Sequence, residues 1–239
     1  MSQKASAFDP YPPELATCQL CPRLVEYREQ VAREKRKAYM NEEYWGAPVP
    51  GFGDPDARLV LVGLAPGAHG SNRTGRMFTG DASGAFLYPA LHRAGLASSP
   101  LAANRDDGLE LRGVWITAAL RCVPPGNKPE RQELAACQKW LHHDLDNLEN
   151  ARVALAMGKI GHDAAITVWR SRGLQTTLAA NKFTHGAVHD LSGLPGAAVS
   201  GALPLVDVYH VSLQNTNTGR LTEAMFDEVL AHAKALAGL

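Results

Sequence analysis

Four short stretches of the chain, 59–62, 114–119, 152–157 and 205–209, are apolar almost without interruption. Unbroken runs of this length predict strands buried on both faces, as in a parallel sheet; a half-solvated strand would alternate. Between them apolar residues return at helical spacing. Leu87, Ala90, Leu91 and Ala94 form one stripe that stops at Gly95, and Leu134, Cys137, Leu141, Leu145 and Leu148 form a second. A third helix is expected from 158–161 through Trp169, and a last one carries Leu221, Met225, Val229, Ala233 and Leu236. Strands alternating with helices predict an α/β fold whose mostly parallel sheet is covered on both faces. Residues 22–45 read as one charged helix with Leu24, Tyr27 and Val31 inward, preceded by a Pro-rich, extended lead-in over 1–17. Segment 46–57 is turn-rich, 98–113 is polar, and in 172–201 a hairpin or loops fit equally well.

Two strand ends carry polar chemistry. The first strand runs into 63–81, GLAPGAHGSNRTGRMFTGD, with five glycines and one proline in nineteen residues. Glycines let another molecule approach the main chain closely. A long loop between the carboxyl end of a strand and the next helix is where open α/β sheets bind ligands. It has neither the GK[ST] of a phosphate loop nor G-x-G-x-x-G spacing. Asn72, Arg73, Arg76 and Asp81 tilt it from a structural loop towards a site. The last strand delivers HVSLQNTNTGR, so His210, Gln214, Asn215, Thr216, Thr218 and Arg220 can meet the first loop at one edge of the sheet. Each has a plainer reading: His210 as a satisfied strand-end residue, Asp81 as the cap of the following helix.

A length of 239 residues suits a single domain, 1–239, with 1–57 as an N-terminal cap segment. The formal net charge of +0 excludes a global basic field, so a nucleic-acid partner would have to be met by a local patch. Lacking a membrane-length apolar run or an apolar leader, the chain is expected to be soluble and cytoplasmic, with no membrane partner. Its four cysteines are Cys18 and Cys21, spaced C-x2-C, then Cys122 after a strand and Cys137 on an inward helical stripe. Four inward thiols with no spare suit an iron–sulfur cluster. Zinc is the alternative, and each of Cys122 and Cys137 alone would read as an inert core thiol.

Together, GLAPGAHGSNRTGRMFTGD, the four cysteine positions and HVSLQNTNTGRLT resemble the type-5 uracil-DNA glycosylases, iron–sulfur members of the uracil-DNA glycosylase superfamily. The resemblance extends from Cys18 to the last helix. It implies a three-layer α/β/α fold with a central, mostly parallel four-stranded sheet. It also implies a [4Fe-4S] cluster on Cys18, Cys21, Cys122 and Cys137, and excision of uracil from DNA, with tolerance for bases such as hypoxanthine. The backbone of Gly63, Leu64, Ala65, Pro66, Gly67 and Ala68 would line the base pocket. Phe78 would stack on the base, or else be a core aromatic. His210 would donate to a base oxygen. The segment Gln214, Asn215, Thr216, Thr218 would hold the duplex open. Arg73, Arg76 and Arg220 are expected phosphate contacts, on charge and location alone. Relatives that place a carboxylate at the second or third position of the first motif differ from this chain, which has Leu64 and Ala65 there. Asp81 is the nearest candidate for the water. Some relatives also carry an asparagine near the end of the second strand, where this chain reads Thr117-Ala118-Ala119. No lysine lies in either motif, which disfavours lyase chemistry, and a monomer suffices to scan a duplex.

Overall fold

The computed structural model describes residues 8–239. Residues 1–7 of the lead-in lie outside the described residues. The rest of it is not wholly extended, since Pro13–Ala16 forms one helical turn, α1, that buries Leu15. Helix α2, Pro22–Glu34, is shorter than the charge pattern suggested. It ends because Lys35 takes a left-handed conformation (φ 56°) and turns the chain into a 3-10 turn over Lys37–Tyr39.

The strands are β1 (Phe52–Gly53), β2 (Leu59–Gly63), β3 (Val114–Ala118), β4 (Val153–Met157), β5 (Val188–His189) and β6 (Leu205–Val208), in the order β1-β3-β2-β4-β6-β5. The inner four are parallel, with Leu61 beside Ile116 and Leu155, and Leu155 beside Val206. β1 and β5 are antiparallel edges on β3 and β6. The expected four-stranded sheet is thus the parallel centre of a six-stranded one. Two-residue edge strands leave no periodic signature; β1 sits in a segment that reads as turns, and β5 in one where a hairpin and loops fit equally well.

Alternation across the sheet explains the unbroken apolar runs. Leu59 and Leu61 face one layer, where they pack with Leu87 and Leu91 of α4 (Ala82–Arg93) and Phe226 and Leu230 of α9 (Glu223–Ala237). Val60 and Val62 face the other, against Leu141 of α5 (Arg131–Asn147) and Ile166 and Trp169 of α6 (Lys159–Ser171). Both faces are covered, so polar residues would be stranded on either. A smaller cluster of Leu15, Leu24, Leu120, Cys137 and Trp140 fastens the N-terminal segment to the β3–α5 side. Short helices α3 (Ser71–Thr74) and α8 (Leu213–Asn217) lie inside the two polar loops, and α7 (Ala197–Ser200) lies in the unpatterned segment.

Asp207, fully buried on β6, is the polar pin of that segment. Its Oδ1 lies 2.7 Å from His162 Nδ1. Its Oδ2 lies 2.9 Å from His189 Nε2 and accepts the Thr184 amide at 3.0 Å. His162 Nε2 is also 2.7 Å from the Asn181 carbonyl oxygen. A ring that donates from both nitrogens is an imidazolium. Burial opposes the charge, but Asp207, with the Asn181 carbonyl and Asp163, outweighs it and holds the His162 pKa above its ordinary value.

The stability from this pair is present in full below the unfolded histidine pKa, about 6.5, and is lost as pH rises through the higher folded value. His162→Gln should therefore cost most at pH 6, up to about 3 kcal/mol, because it removes the charged partner of Asp207 Oδ1 while His189 and the Thr184 amide keep Oδ2 bonded. The gap from the parent protein should narrow as pH is raised to 9 in thermal melts. A gap independent of pH would show that His162 is neutral in the fold.

Candidate active site

The carboxyl ends of β2, β3 and β6 open onto a cavity of about 800 Å³. Leu64, Ala65, Gly67 and Ala68 line it from the first loop, and His210, Gln214 and Asn215 from the second. The two loops, nearly 150 residues apart, therefore meet as the sequence suggested. Gly63 and Pro66 sit behind this surface, both buried. A Cβ on Gly63 would come within 2.9 Å of Phe78 Cζ, so the aromatic ring rests directly on the strand end. Phe78 itself is 7% exposed and strained, with φ 51°. A left-handed bulky residue costs about 1–2 kcal/mol and is held only where surroundings over-determine it. Its ring presents an edge of the cavity with its centroid 6.2 Å from that of His210.

Asp81 serves two ends at once. Its Oδ1 accepts the Gly84 amide at 3.1 Å, capping α4 as the plainer reading held. Its Oδ2 faces the cavity over the first loop, where a Cβ on Gly67 would lie 2.6 Å away and one on Gly70 2.0 Å. Burial pushes its pKa up, while the Gly84 and Ser83 amides and Arg73 pull against the rise. Burial likewise pushes the His210 pKa down, with no charged neighbour to offset it, so the ring is neutral at pH 7. Its main chain is set by Asn215, whose Nδ2 donates to the His210 carbonyl at 2.8 Å, and by Gly158, where a Cβ would lie 3.1 Å from His210 Cβ. Asn215 thus both lines the pocket and holds its histidine.

The three arginines part company. Arg220 is exposed with its guanidinium 4.5 Å over the Tyr209 ring, free to meet a phosphate. Arg73 and Arg76 are not. Arg73 is 8% exposed and is consumed by Glu42, the His69 carbonyl (2.8 Å) and the Gly80 carbonyl (2.8 Å). Arg76 is 3% exposed, forked onto Asp107 at 2.7 Å twice and bonded to Thr79 Oγ1. Both brace the first loop, and the expectation of phosphate contacts from them is set aside. Gln214 on α8 and Thr218 just after its last residue are exposed, and Thr216 is half-buried. The Thr216 and Thr218 hydroxyls bond back to Ser212 and Gln214 carbonyls.

Sequence reasoning passed over Asn127 and Lys128, which line the mouth from the loop after β3, with Asn127 at φ 56°. That loop also leaves a parallel strand at its carboxyl end, which was the available signal. Thr117 is fully buried inside β3 and does not stand in for a pocket asparagine. Leu213, 55% exposed beside Gln214 at the rim, was also missed.

Away from this cavity, Cys18, Cys21, Cys122 and Cys137 surround a second, small one of about 20 Å³. All four thiols are free. Burial pushes Cys137 up to about 12 and Cys21 to about 11.

A family model described as the uracil DNA glycosylase superfamily matches residues 50–234. A protein of Thermus thermophilus described as a type-5 uracil-DNA glycosylase is 55% identical over 94% of this chain and 96% of its own length. Proteins of the same description from Mycobacterium leprae and Pyrobaculum aerophilum are 44% and 43% identical, over 95% and 97% of this chain and 94% of each of theirs. The chain belongs to the uracil-DNA glycosylase superfamily, among its type-5 members. Type-5 membership makes it a glycosylase.

Gly70→Ala tests the packing that sets Asp81. With a Cβ 2.0 Å from Oδ2 and 2.8 Å from the Asp81 Cβ, the carboxylate must rotate out and the loop backbone must shift. Glycosylase turnover should fall at least tenfold, and stability should fall by more than the loss of a cap alone, about 1 kcal/mol. Unchanged turnover would mean that Asp81 does not act where it stands.

Proposed function

We propose that the chain excises uracil from DNA by hydrolysing the bond between base and deoxyribose, leaving an abasic site. One observation carries this: a neutral imidazole and a carboxylate face a single cavity floored by glycine-rich backbone and edged by a strained phenylalanine. The descriptions of its relatives support uracil in DNA as the substrate.

A paired base cannot reach such a floor, so it must be extruded, at a cost of a few kcal/mol that is smallest at a mismatch such as guanine–uracil. Gln214, with Leu213 beside it, stands at the rim where it can fill the gap in the stack, and Arg220 can hold the backbone. Thr216 and Thr218 add contact surface, their hydroxyls being turned to the helix. As the bond lengthens, its electron pair passes to the base and positive charge grows on the sugar. The His210 N–H stabilises the oxygen that takes up the negative charge, in a site that excludes water. The Asp81 carboxylate stabilises the sugar and takes the proton of the water that adds to it. His210 addresses one carbonyl oxygen, not a whole base edge. An oxygen gained by deamination is common to uracil and hypoxanthine, so both belong to this reading.

The four cysteines fit an iron–sulfur cluster. They converge on one enclosed space with amide and guanidinium N–H groups already aimed at two of the sulfurs. A [4Fe-4S] cluster held by Cys18, Cys21, Cys122 and Cys137 would supply covalent cross-links between the N-terminal segment and the β3–α5 region. It lies apart from the base pocket and takes no part in the hydrolysis. With net charge +0 and a local contact surface, the chain acts as a monomer on DNA in the cytoplasm.

A labelled duplex carrying uracil, treated with heat or alkali to break abasic sites, tests the reading. The protein should cleave it, and His210→Ala should slow single-turnover cleavage a hundredfold or more with DNA affinity little changed. Asp81→Asn should also be slow, and the parent rate should fall as pH drops through the raised Asp81 pKa. Binding without cleavage by the parent protein would replace the enzyme with a DNA-binding protein of the same fold. Cys18→Ala should lose iron and solubility together; full activity in an iron-free protein would remove the cluster.

A further inference from the structure

Two arginines are buried beside the cysteines: Arg121 is paired with Asp144, whereas Arg28 has no close carboxylate, and both keep buried guanidinium nitrogens without partners among the described residues. Arg28 of α2 is 5% exposed. Its Nη1 donates to Cys122 Sγ at 3.1 Å and to the Cys18 carbonyl at 3.3 Å. Its nearest carboxylate, Glu29, stands 3.9 Å off, and Nε is buried with no partner among the described residues. Arg121, between the end of β3 and Cys122, is 1% exposed. Its Nη2 reaches Asp144 and the Trp140 carbonyl, leaving Nε and Nη1 buried without partners. Its amide donates to Cys137 Sγ at 3.3 Å.

A buried charge lacking its counter-charge costs several kcal/mol, and unmade buried donors add to that. The Arg28 charge without a close carboxylate, and three unpartnered guanidinium nitrogens beside one cavity, therefore call for an anion inside it. A cluster ligated by four thiolates is such an anion, and this inference rests on the cluster reading above. We propose that Arg28 is a residue of the cofactor site. Its guanidinium neutralises the cluster through Cys122 and sets its reduction potential, with the Arg121 amide acting in the same sense on Cys137. Net charge and hydrogen bonds to sulfur are the levers by which proteins move such potentials. A cation held against one thiolate favours the more negative, reduced state. Arg28 matters to the cofactor and not to the base pocket.

The test compares purified proteins by iron and sulfide content and by a redox titration followed in the visible spectrum and by electron paramagnetic resonance. Arg28→Gln should load iron less fully, and at a fixed potential its reduced-to-oxidised ratio should fall at least tenfold, equivalent to 59 mV for one electron. Arg33→Gln, on the exposed face of the same helix, should leave both unchanged. An Arg28→Gln protein with parental iron content and potential overturns the proposal while the cluster reading stands. A parent protein without iron overturns the cluster reading itself, and this inference with it. If Arg28→Gln fails to fold or load, Arg28→Lys decides. It keeps the charge, so it should hold iron with a ratio within threefold of the parent, and an Arg28→Lys protein as empty as Arg28→Gln overturns the proposal.

Discussion

The architecture depends on close approach at the carboxyl edge of the sheet. A Cβ at Gly161 would lie 2.2 Å from the Val62 carbonyl oxygen, so the start of α6 is packed against the last turn of β2. Gly158, at φ 91°, lets the chain leave β4 without striking His210. Gly63 leaves room for the ring of Phe78. A side chain at Gly161 would force α6 and β2 apart by about an ångström, and one at Gly158 or Gly63 would press on His210 or Phe78 at the edge of the cavity. Interiors are packed too tightly to absorb such a shift locally.

Within that edge, polar residues divide into braces and reactants. Arg73 and Arg76 turn inward and tie the glycine-rich loop to Glu42 and Asp107, each far away in sequence. The Asp107 carboxyl is held down to about 2 by this pairing despite its burial. The loop is therefore rigid for a segment so rich in glycine, and rigidity is what lets backbone serve as a binding surface. Among the described residues Asp81 keeps Oδ2 and His210 keeps its ring nitrogens uncommitted, which the proposed chemistry requires. Their opposite shifts have one origin: burial disfavours charge, which raises a carboxyl and lowers an imidazole. For His210 this secures the neutral donor that a developing oxyanion needs. Asp81 is kept from rising far by the two amides of its own helix.

The N-terminal segment belongs to a different piece of physics. It has few apolar residues of its own, and among the described residues Leu15 and Leu24, with Tyr11, Cys18 and Cys21 packed against them, anchor it to the small cluster near Trp140. Its polar ties are Arg23 to Glu133 at 2.7 Å, and Asn72 Nδ2 to the Arg28 carbonyl at 3.2 Å. Such a contact area is modest for a segment that also frames the glycine loop through Trp45 and Gly46. The proposed cluster on four cysteines drawn from this segment and from the β3–α5 region would be a covalent answer to a small core.

Much of this was legible in the chain itself. Unbroken apolar runs marked the parallel strands, because burial on both faces leaves no polar alternation to read. The glycines of 63–81 and the HVSLQNTNTGR motif marked the two loops that share the cavity, because each combines particular residue types at fixed spacing. What a charge is for could not be read in the same way. Arg73, Arg76 and Arg220 are alike in sequence, yet only the third reaches solvent, since its partner is decided by residues more than thirty positions away or by none. Asn127 was invisible for the same reason: its role comes from where the loop after β3 ends up, beside two other strand ends. Sequence sets which groups are available and the local conformations they favour; only the packed sheet decides which of them share a cavity and which are buried against each other.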